Sequence, residues 1–410
     1  MLSTAELLQS IEEKINLSPL PAAIVFNSHI TGLAVARSLG KHGVPIIALD
    51  RDANGYAFAS KYVTASALCP NVLQDEEGFI AFLLTIGHHL KQRGILFPCN
   101  DEWVLAVNRH RERLAEYFTF PFSDSTIVEP ILDKAQLYQT ATELQIPIPR
   151  TWNLQTEPIE QVAQELPYPC IVKPTEQRSF YDVFRDKAWR IESADELRDA
   201  VERAHGHALV AQEIVGESLT DFYSVCSYIG QDGQAHGVFV GRKLEQYPPN
   251  FGTGCLVVSE QVQTIAERGV RMLQEFGYRG ISEIEFIYDA HDGEHKLLDI
   301  NTRVWKWIGL PIAAGVDLPW LAYADSIGQP THAEEPANGI VWTYARDYFA
   351  LRTEGHGRGT VQYLPEALWA EFVAGKSEHI VDAVINTDDP TPAARMLTTL
   401  FGHNNYFCAC

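Results

Sequence analysis

The sequence is short of basic residues: 32 Lys and Arg stand against 53 Asp and Glu, a formal net charge of −21. A field of that sign repels duplex nucleic acid and anionic membrane surfaces, so neither is expected as a partner. It does not exclude an anionic small molecule, because a few lysines can dominate one cleft. Long apolar runs are also missing. No uncharged apolar stretch approaches the roughly 20 residues that span a bilayer. Met1 to Asn16 carries Glu6, Glu12 and Glu13 where an export signal would be basic and then apolar, and reads as a short amphipathic helix. Cysteine is sparse and unpatterned. The seven residues Cys69, Cys99, Cys170, Cys226, Cys255, Cys408 and Cys410 form no C-x-x-C, so reduced thiols in a cytoplasmic protein are expected. Cys408-Ala-Cys410 sits on the terminal tail, where fraying is the usual state. No internal repeat or low-complexity linker is present.

The remaining composition is that of a globular chain. Hydrophobic residues make up 46% and charged residues 21% of 410 positions, enough for two or three domains. Ala22 to Phe26 is a short buried-strand run. The polar loop Asn27-Ser-His-Ile-Thr-Gly32 follows, then a helix from Leu33 to Lys41. A second strand, Val44 to Leu49, ends at Asp50. This strand–loop–helix–strand order opens a doubly wound α/β domain. Gly94 to Pro98 adds another strand.

Further along, Asp133 to Gln145 is predicted helical and stopped by Ile146-Pro-Ile-Pro149. Pro167 to Pro174 is a strand bracketed by prolines, and Thr175 to Phe184 is read as a loop without glycine. Ser193 to Ala204 is a helix opened by a Ser193-x-x-Glu196 capping box. Strands are predicted at Ala208 to Ile214, Phe222 to Ile229 and His236 to Lys243. A helix over Gln261 to Phe276 precedes two strands, Gly280 to Asp289 and His295 to Ile300, joined by Ala290-His-Asp-Gly293.

Chemistry concentrates in the last pair. Alternation places Glu283 and Glu285 on one face of the first strand, and Asp299 and Asn301 on one face of the second. If the register pairs those faces, Glu285, Asp299 and Asn301 converge. Two carboxylates and an amide oxygen are hard ligands suited to magnesium. Arg303 shares that face if the strand continues, and its guanidinium could hold a transferring phosphoryl group. The alternative is a solvated strand face with a surface arginine. Lys173 stands inside an apolar, proline-bounded strand, where an ammonium loses hydration worth several kcal/mol unless an anion such as phosphate meets it. Lys134 opens a helix directly after Asp133, and Arg242-Lys243 ends a strand. The alternative for each is a snorkelling surface lysine. Leu209 to Gly216 could present backbone groups to an adenine edge, and an ordinary strand with a turn is the reading it supports alone.

Together these segments resemble the ATP-grasp superfamily, in particular its bacterial carboxylate–amine ligases, the D-aspartate ligase-like branch. The matching pieces occur in order: Leu132-Asp-Lys134 with Ile146 to Pro149, Cys170-Ile-Val-Lys-Pro174, Val210 to Ile214, Gly241 to Pro248 with Phe251-Gly252, Glu285-Phe286, and Leu298-Asp-Ile-Asn-Thr-Arg303. Each is weak alone and their order is the signal. The resemblance implies a Rossmann-like N-terminal domain over 1–125, a two-lobed α+β ATP-grasp domain over 126–330 with its lid lobe near 150–210, and a mixed α/β region over 331–410. By the same resemblance Lys134 and Lys173 hold ATP phosphates, with Lys243 reaching them from the large lobe. Gln212, Glu213 and Ile214 line the adenine and ribose pocket. Glu285, Asp299 and Asn301 bind Mg2+, expected as two ions with Mn2+ as a substitute. Arg303, with Lys243, stabilises the reacting groups. The implied reaction joins a small-molecule carboxylate to an amine through an acyl phosphate, releasing ADP and phosphate. A homodimer is compatible.

The sequence departs from the usual Glu-Ile-Asn-Pro-Arg in having Asp299 and Thr302. It also lacks a glycine-rich loop after Lys173, where Arg178, Ser179, Arg185 and Lys187 offer side-chain donors instead. Trp305, Lys306 and Trp307 could frame a substrate carboxylate. His29, Arg178 and the loops Asn27 to Thr31 and Asn100-Asp101-Glu102 are further substrate candidates. Two other functions compete. An NAD-dependent oxidoreductase would use the first strand–helix–strand with Asp50, but Asn27 to Gly32 lacks G-x-G-x-x-G. A non-catalytic ATP-binding module would bind without turnover.

Overall fold

The computed structural model describes residues 2–204, 206–216, 221–249, 252–353 and 379–401. Strands β1 (Ala23–Phe26), β2 (Ile46–Asp50), β3 (Ala65–Leu68), β4 (Gly94–Phe97) and β5 (Phe118–Thr119) form a parallel sheet in the order β3-β2-β1-β4-β5. β1, β2 and β4 are buried throughout, as both-face coverage of a parallel sheet requires. The strand order reverses between β1 and β4, and crevices at such switch points are where α/β sheets take ligands.

The first helix begins at Ile30, earlier than the Leu33 expected from sequence. Gly32 is the third residue of that helix, not the end of a loop. A Cβ there would lie 2.2 Å from the Asn27 carbonyl oxygen, so the helix can start this close to β1 only with glycine. Asn27 itself adopts φ +57°, which turns the chain from strand to helix.

A second, antiparallel sheet contains β6 (Thr151–Asn153), β7 (Cys170–Pro174), β8 (Trp189–Ile191) and β9 (Leu209–Glu213) in the order β6-β9-β7-β8. Its buried face packs Val172, Trp189 and Ala211 against Val162 and Leu197 from two helices. The stretch read as a loop after Lys173 is in fact helical over Gln177–Phe184. Phe180 and Phe184, four residues apart, lie 4.6 Å apart and both stack towards Trp189. Glu176 accepts from the Ser179 backbone N–H at 3.0 Å and caps the helix start. Without glycine the segment had no reason to stay open.

The third sheet holds β10 (Phe222–Ile229), β11 (Ala235–Tyr247), β12 (Thr253–Ser259), β13 (Gly280–Asp289), β14 (Glu294–Asn301), β15 (Val341–Thr343) and β16 (Ile380–Asp382). Their order is β14-β13-β10-β11-β12-β15-β16, so the segment beyond 331 contributes two strands to this sheet. β11 does not end at Lys243. It runs on to Tyr247, and its pairing with β12 slips between Lys243 and Gln246, a bulge at the lysine. From the first sheet's helix Ile30–Lys41, buried Arg37 binds Asp389 at 2.9 Å and fixes the chain end to the N-terminal domain. No helix among the described residues is long and apolar enough to cross a membrane.

Candidate active site

β13 and β14 pair Glu285 with Asp299 and Glu283 with Asn301. The two acidic faces therefore coincide, as the alternation predicts. Asn301 Nδ2 donates to Glu283 Oε2 at 2.9 Å, so its other amide atom, Oδ1, is the one that can act as a hard acceptor. Among the described residues, no three His, Cys, Asp or Glu side chains cluster as a metal site. The donor set here is two carboxylates and one amide, which is chemistry that fits a hard divalent ion. Burial and then Glu285 push the Glu283 carboxyl up from its usual range.

Lys134 is the first residue of the helix Lys134–Glu143, whose start is capped by Asp133 through the Gln136 N–H at 2.9 Å. Its stem is buried and its Nζ lies 2.6 Å from Asp299 Oδ2. Burial alone would raise the Asp299 pKa, but Lys134 and then Lys173 outweigh it and hold the carboxylate below its ordinary value. Lys173 projects from β7 and donates to Tyr138 Oη at 2.5 Å and Gln212 Oε1 at 2.9 Å. Burial pulls its pKa down to about 8, against the opposing pull of Asp299 and Glu285. Tyr138 escaped the sequence reading. The signal was present, since Tyr138 follows Lys134 by four residues and so shares its helix face.

The structure places the other candidates as follows. Gln212 is held between Lys173 and Thr151, donating to Thr151 Oγ1 at 2.8 Å. Glu213 is engaged by Arg150 at 2.7 Å, and Ile214 is exposed beyond it. Lys243 sits at the β11 bulge with its Nζ 4.4 Å above the Phe222 ring. β14 ends at Asn301, so Arg303 does not continue the strand face. It turns instead to Asp101, donating at 2.8 Å and 3.0 Å. Burial opposes the charge on Arg303, but Asp101, Glu102 and Glu283 raise its pKa overall. Thr302 is fully buried, and its hydroxyl has no hydrogen-bond partner among the described residues. It borders a hollow of about 20 Å³, room for one water.

Lys306 is buried and binds Asp347 at 2.5 Å and Thr253 Oγ1 at 3.0 Å. Trp305 and Trp307 are both buried, with ring centroids 5.1 Å apart. Lys306 is thus tied to Asp347 rather than displayed between two open indoles. His29 packs 4.6 Å from the Tyr56 ring. Its burial, then Arg346 and Lys306, lower its pKa well below the ordinary value. Arg178 lies on the helix after β7, its side chain outside the described residues. Cys408, Cys410 and Phe251 also lie outside them.

The site therefore joins two lysines from the second sheet's side to a pair of carboxylates and an amide on the third sheet. The arginine that follows reaches the switch point of the first sheet. A family model described as the carbamoyl-phosphate synthase L chain, ATP binding domain, matches residues 252–321. The chain is 25% identical over 222 residues to a D-aspartate ligase of Enterococcus faecium, covering 51% of this chain and 53% of that one. Over these stretches its sequence resembles ATP-grasp proteins. The aligned stretch spans about half the length of that curated relative. A biotin carboxylase–β,γ-ATP complex from Campylobacter jejuni superposes with a TM-score of 0.62 at 15% identity, covering 78% of this chain and 74% of that one. An L-amino acid ligase from Bacillus licheniformis gives 0.59 at 14% identity, covering 78% of each chain. These two likenesses show the ATP-grasp fold.

Proposed function

We propose that this ATP-grasp chain is an ATP-dependent carboxylate–amine ligase. The observation that carries the reading is the Lys134–Asp299 contact, which brings the lysine side of the cleft against the carboxylate pair at 2.6 Å. Likeness to a D-aspartate ligase supports carboxylate activation as the chemistry. Lys134, Lys173 and Lys243 bind and orient the ATP phosphates. Glu285, Asp299 and Asn301 are the residues that would hold Mg2+, with Mn2+ an alternative hard ion. Such an ion would neutralise charge on the phosphates and polarise the terminal one. Tyr138 and Gln212 keep the Lys173 ammonium aimed while burial withholds water from it.

A carboxylate oxygen of the acid bonds to the γ-phosphorus as the bond to the ADP oxygen breaks. Arg303 stabilises the resulting acyl phosphate and the charge that develops when an amine adds to it. The C–N bond then forms, and phosphate departs with the electrons of the C–O bond. The test is a screen of amino acids and small acids, each with ammonium or an amino acid as acceptor. ADP release and the mass of the amide are the readouts. Magnesium-dependent ADP release only when an acid is supplied supports the ligase reading. ADP formed with bicarbonate alone would move the chain to a carboxylating reaction, and ATP binding without any turnover would leave a binding module.

A further inference from the structure

Resting on that ligase reading, we infer that Asp101 is the residue that binds the acceptor amine, as its ammonium form, beside Arg303. Asp101 opens the helix Asp101–Arg109 directly after β4, at the reversal of strand order between β1 and β4. The loops after these two strands are tied together, since Asn27 Nδ2 donates to Asn100 Oδ1 at 2.6 Å. Crevices of this kind receive ligands at the carboxyl ends of strands. Arg303 reaches the same place from the end of β14, just beyond Asn301. The acid activated at β14 and whatever lies in the crevice therefore meet at Arg303.

Asp101 has capacity for a second partner. Arg303 donates one hydrogen bond to each carboxylate oxygen, and a carboxylate offers about four acceptor positions. The Asp101 side chain is 38% exposed, whereas that of Arg303 is 11% exposed. The spare acceptor positions thus face open space beside a guanidinium that is nearly enclosed.

The chemistry requires such a group. Most amines are ammonium ions at neutral pH, and a cation approaching Arg303 is repelled unless a carboxylate meets it. Asp101 supplies that charge where the nucleophile must stand. The step balances: the ammonium gives one proton to Asp101, which passes it to solvent through its exposed oxygen. The freed lone pair adds to the acyl carbon, and the departing phosphate carries away the second proton.

The full-length protein is assayed with Mg-ATP and the acid found by the screen, with ammonium chloride as a cationic acceptor and hydroxylamine as a largely uncharged one. Asp101→Asn slows both reactions, because Arg303 loses its anchor. It slows the ammonium reaction further, lowering the ammonium-to-hydroxylamine ratio of kcat/KM by about tenfold or more, mainly through KM for ammonium. Asp101→Glu restores part of the ratio. Arg303→Lys lowers both rates and leaves the ratio within about threefold. An equal loss of both reactions in Asp101→Asn would show that Asp101 only holds Arg303, and no loss would remove it from the site; either result overturns the inference while the ligase reading stands. A wild-type protein that releases no ADP with any acid overturns both. Retained ATP binding in Asp101→Asn, read by thermal shift, confirms that the variant is folded.

Discussion

Arg303 donates from Nε to Asp101 Oδ1 at 2.8 Å and from Nη2 to Asp101 Oδ2 at 3.0 Å, a fork that joins the end of β14 to the N-terminal domain across 202 positions of chain. A planar guanidinium can make both bonds at once, and an ammonium cannot. The fork aims the arginine at the junction of the crevice and the paired carboxylates. Arg303→Lys therefore keeps the charge but loses the geometry. We expect kcat for ADP release to fall by about 10²- to 10³-fold while ATP affinity changes by less than about threefold. Steady-state kinetics with isothermal titration of ATP checks it. An equal loss in ATP affinity would place the arginine on the nucleotide rather than on the reacting centre.

The Lys134–Asp299 contact makes two ligands compete. While Lys134 Nζ sits 2.6 Å from Asp299 Oδ2, the ammonium holds an oxygen that a metal ion would use. Lys134→Met frees that oxygen and removes a nearby positive charge. Binding of Mg2+ alone should tighten several-fold and binding of ATP should weaken by about tenfold or more, opposite signs from one substitution. Titrating each ligand separately is the measurement. Mg2+ affinity that weakens in the variant would contradict the assignment of Asp299.

Asp299→Ala removes one carboxylate of the set and leaves Lys173, Tyr138 and Gln212 in place. ATP should still bind within about tenfold of wild type, with turnover lost by about 10³-fold or more. Radiolabelled ATP retention and ADP release report the two halves. Full activity in this variant would mean that the metal lies elsewhere.

Burial holds the Lys173 pKa at about 8, below its ordinary 10.5. In the free protein its charge is present below about pH 8 and lost above it. ATP phosphates restore the charge, so binding above that pH takes up a proton. The ATP dissociation constant should be flat below about pH 8 and rise towards tenfold per pH unit above it. Stability has the opposite slope. Between pH 8 and 10.5 the unfolded chain carries the proton that folded Lys173 has given up, so this residue's contribution to stability rises with pH. Titration in buffers of different ionisation enthalpy counts the protons. Lys173→Met should abolish the uptake.

The paired acids of β13 and β14 were legible in the sequence because alternation is local and the two strands are joined by a short turn containing Gly293. A register that pairs Glu285 with Asp299 needs nothing from the rest of the chain. Asp101 as the partner of Arg303 was not legible. Any of the 53 acidic residues could have met that arginine, and only the relative placement of two sheets selects one. The helix after β7 is hidden for another reason: absence of glycine says nothing about helix or loop by itself, whereas the spacing of Phe180 and Phe184 is helical. β15 and β16 have three residues each, too few for a period to show, and are held by neighbours distant in sequence.

The end of the described chain depends on Arg37. Its Nε donates to Asp389 Oδ2 at 2.9 Å, and its Nη2 donates to the carbonyls of Val384 at 2.9 Å and Asp389 at 3.0 Å. Asp389 also accepts from Ser60 Oγ at 2.7 Å and the Lys61 N–H at 3.0 Å, and is 1% exposed. Arg37→Ala leaves this carboxylate and two carbonyls buried with fewer partners. Removing one member of a buried pair costs about 3–5 kcal/mol, and Ser60 and Lys61 remain to soften the loss, so the lower part of that range is expected. Asp389→Asn retains the shape and the acceptor oxygen and should cost less than Arg37→Ala. Urea denaturation followed by tryptophan fluorescence measures both. Turnover per folded molecule should stay near wild type, because Arg37 contacts none of the residues of the cleft described above. A loss below about 1 kcal/mol in Arg37→Ala would mean that residues 379–401 dock through their apolar contacts, Val384 and Met396 among them, without help from the ion pair.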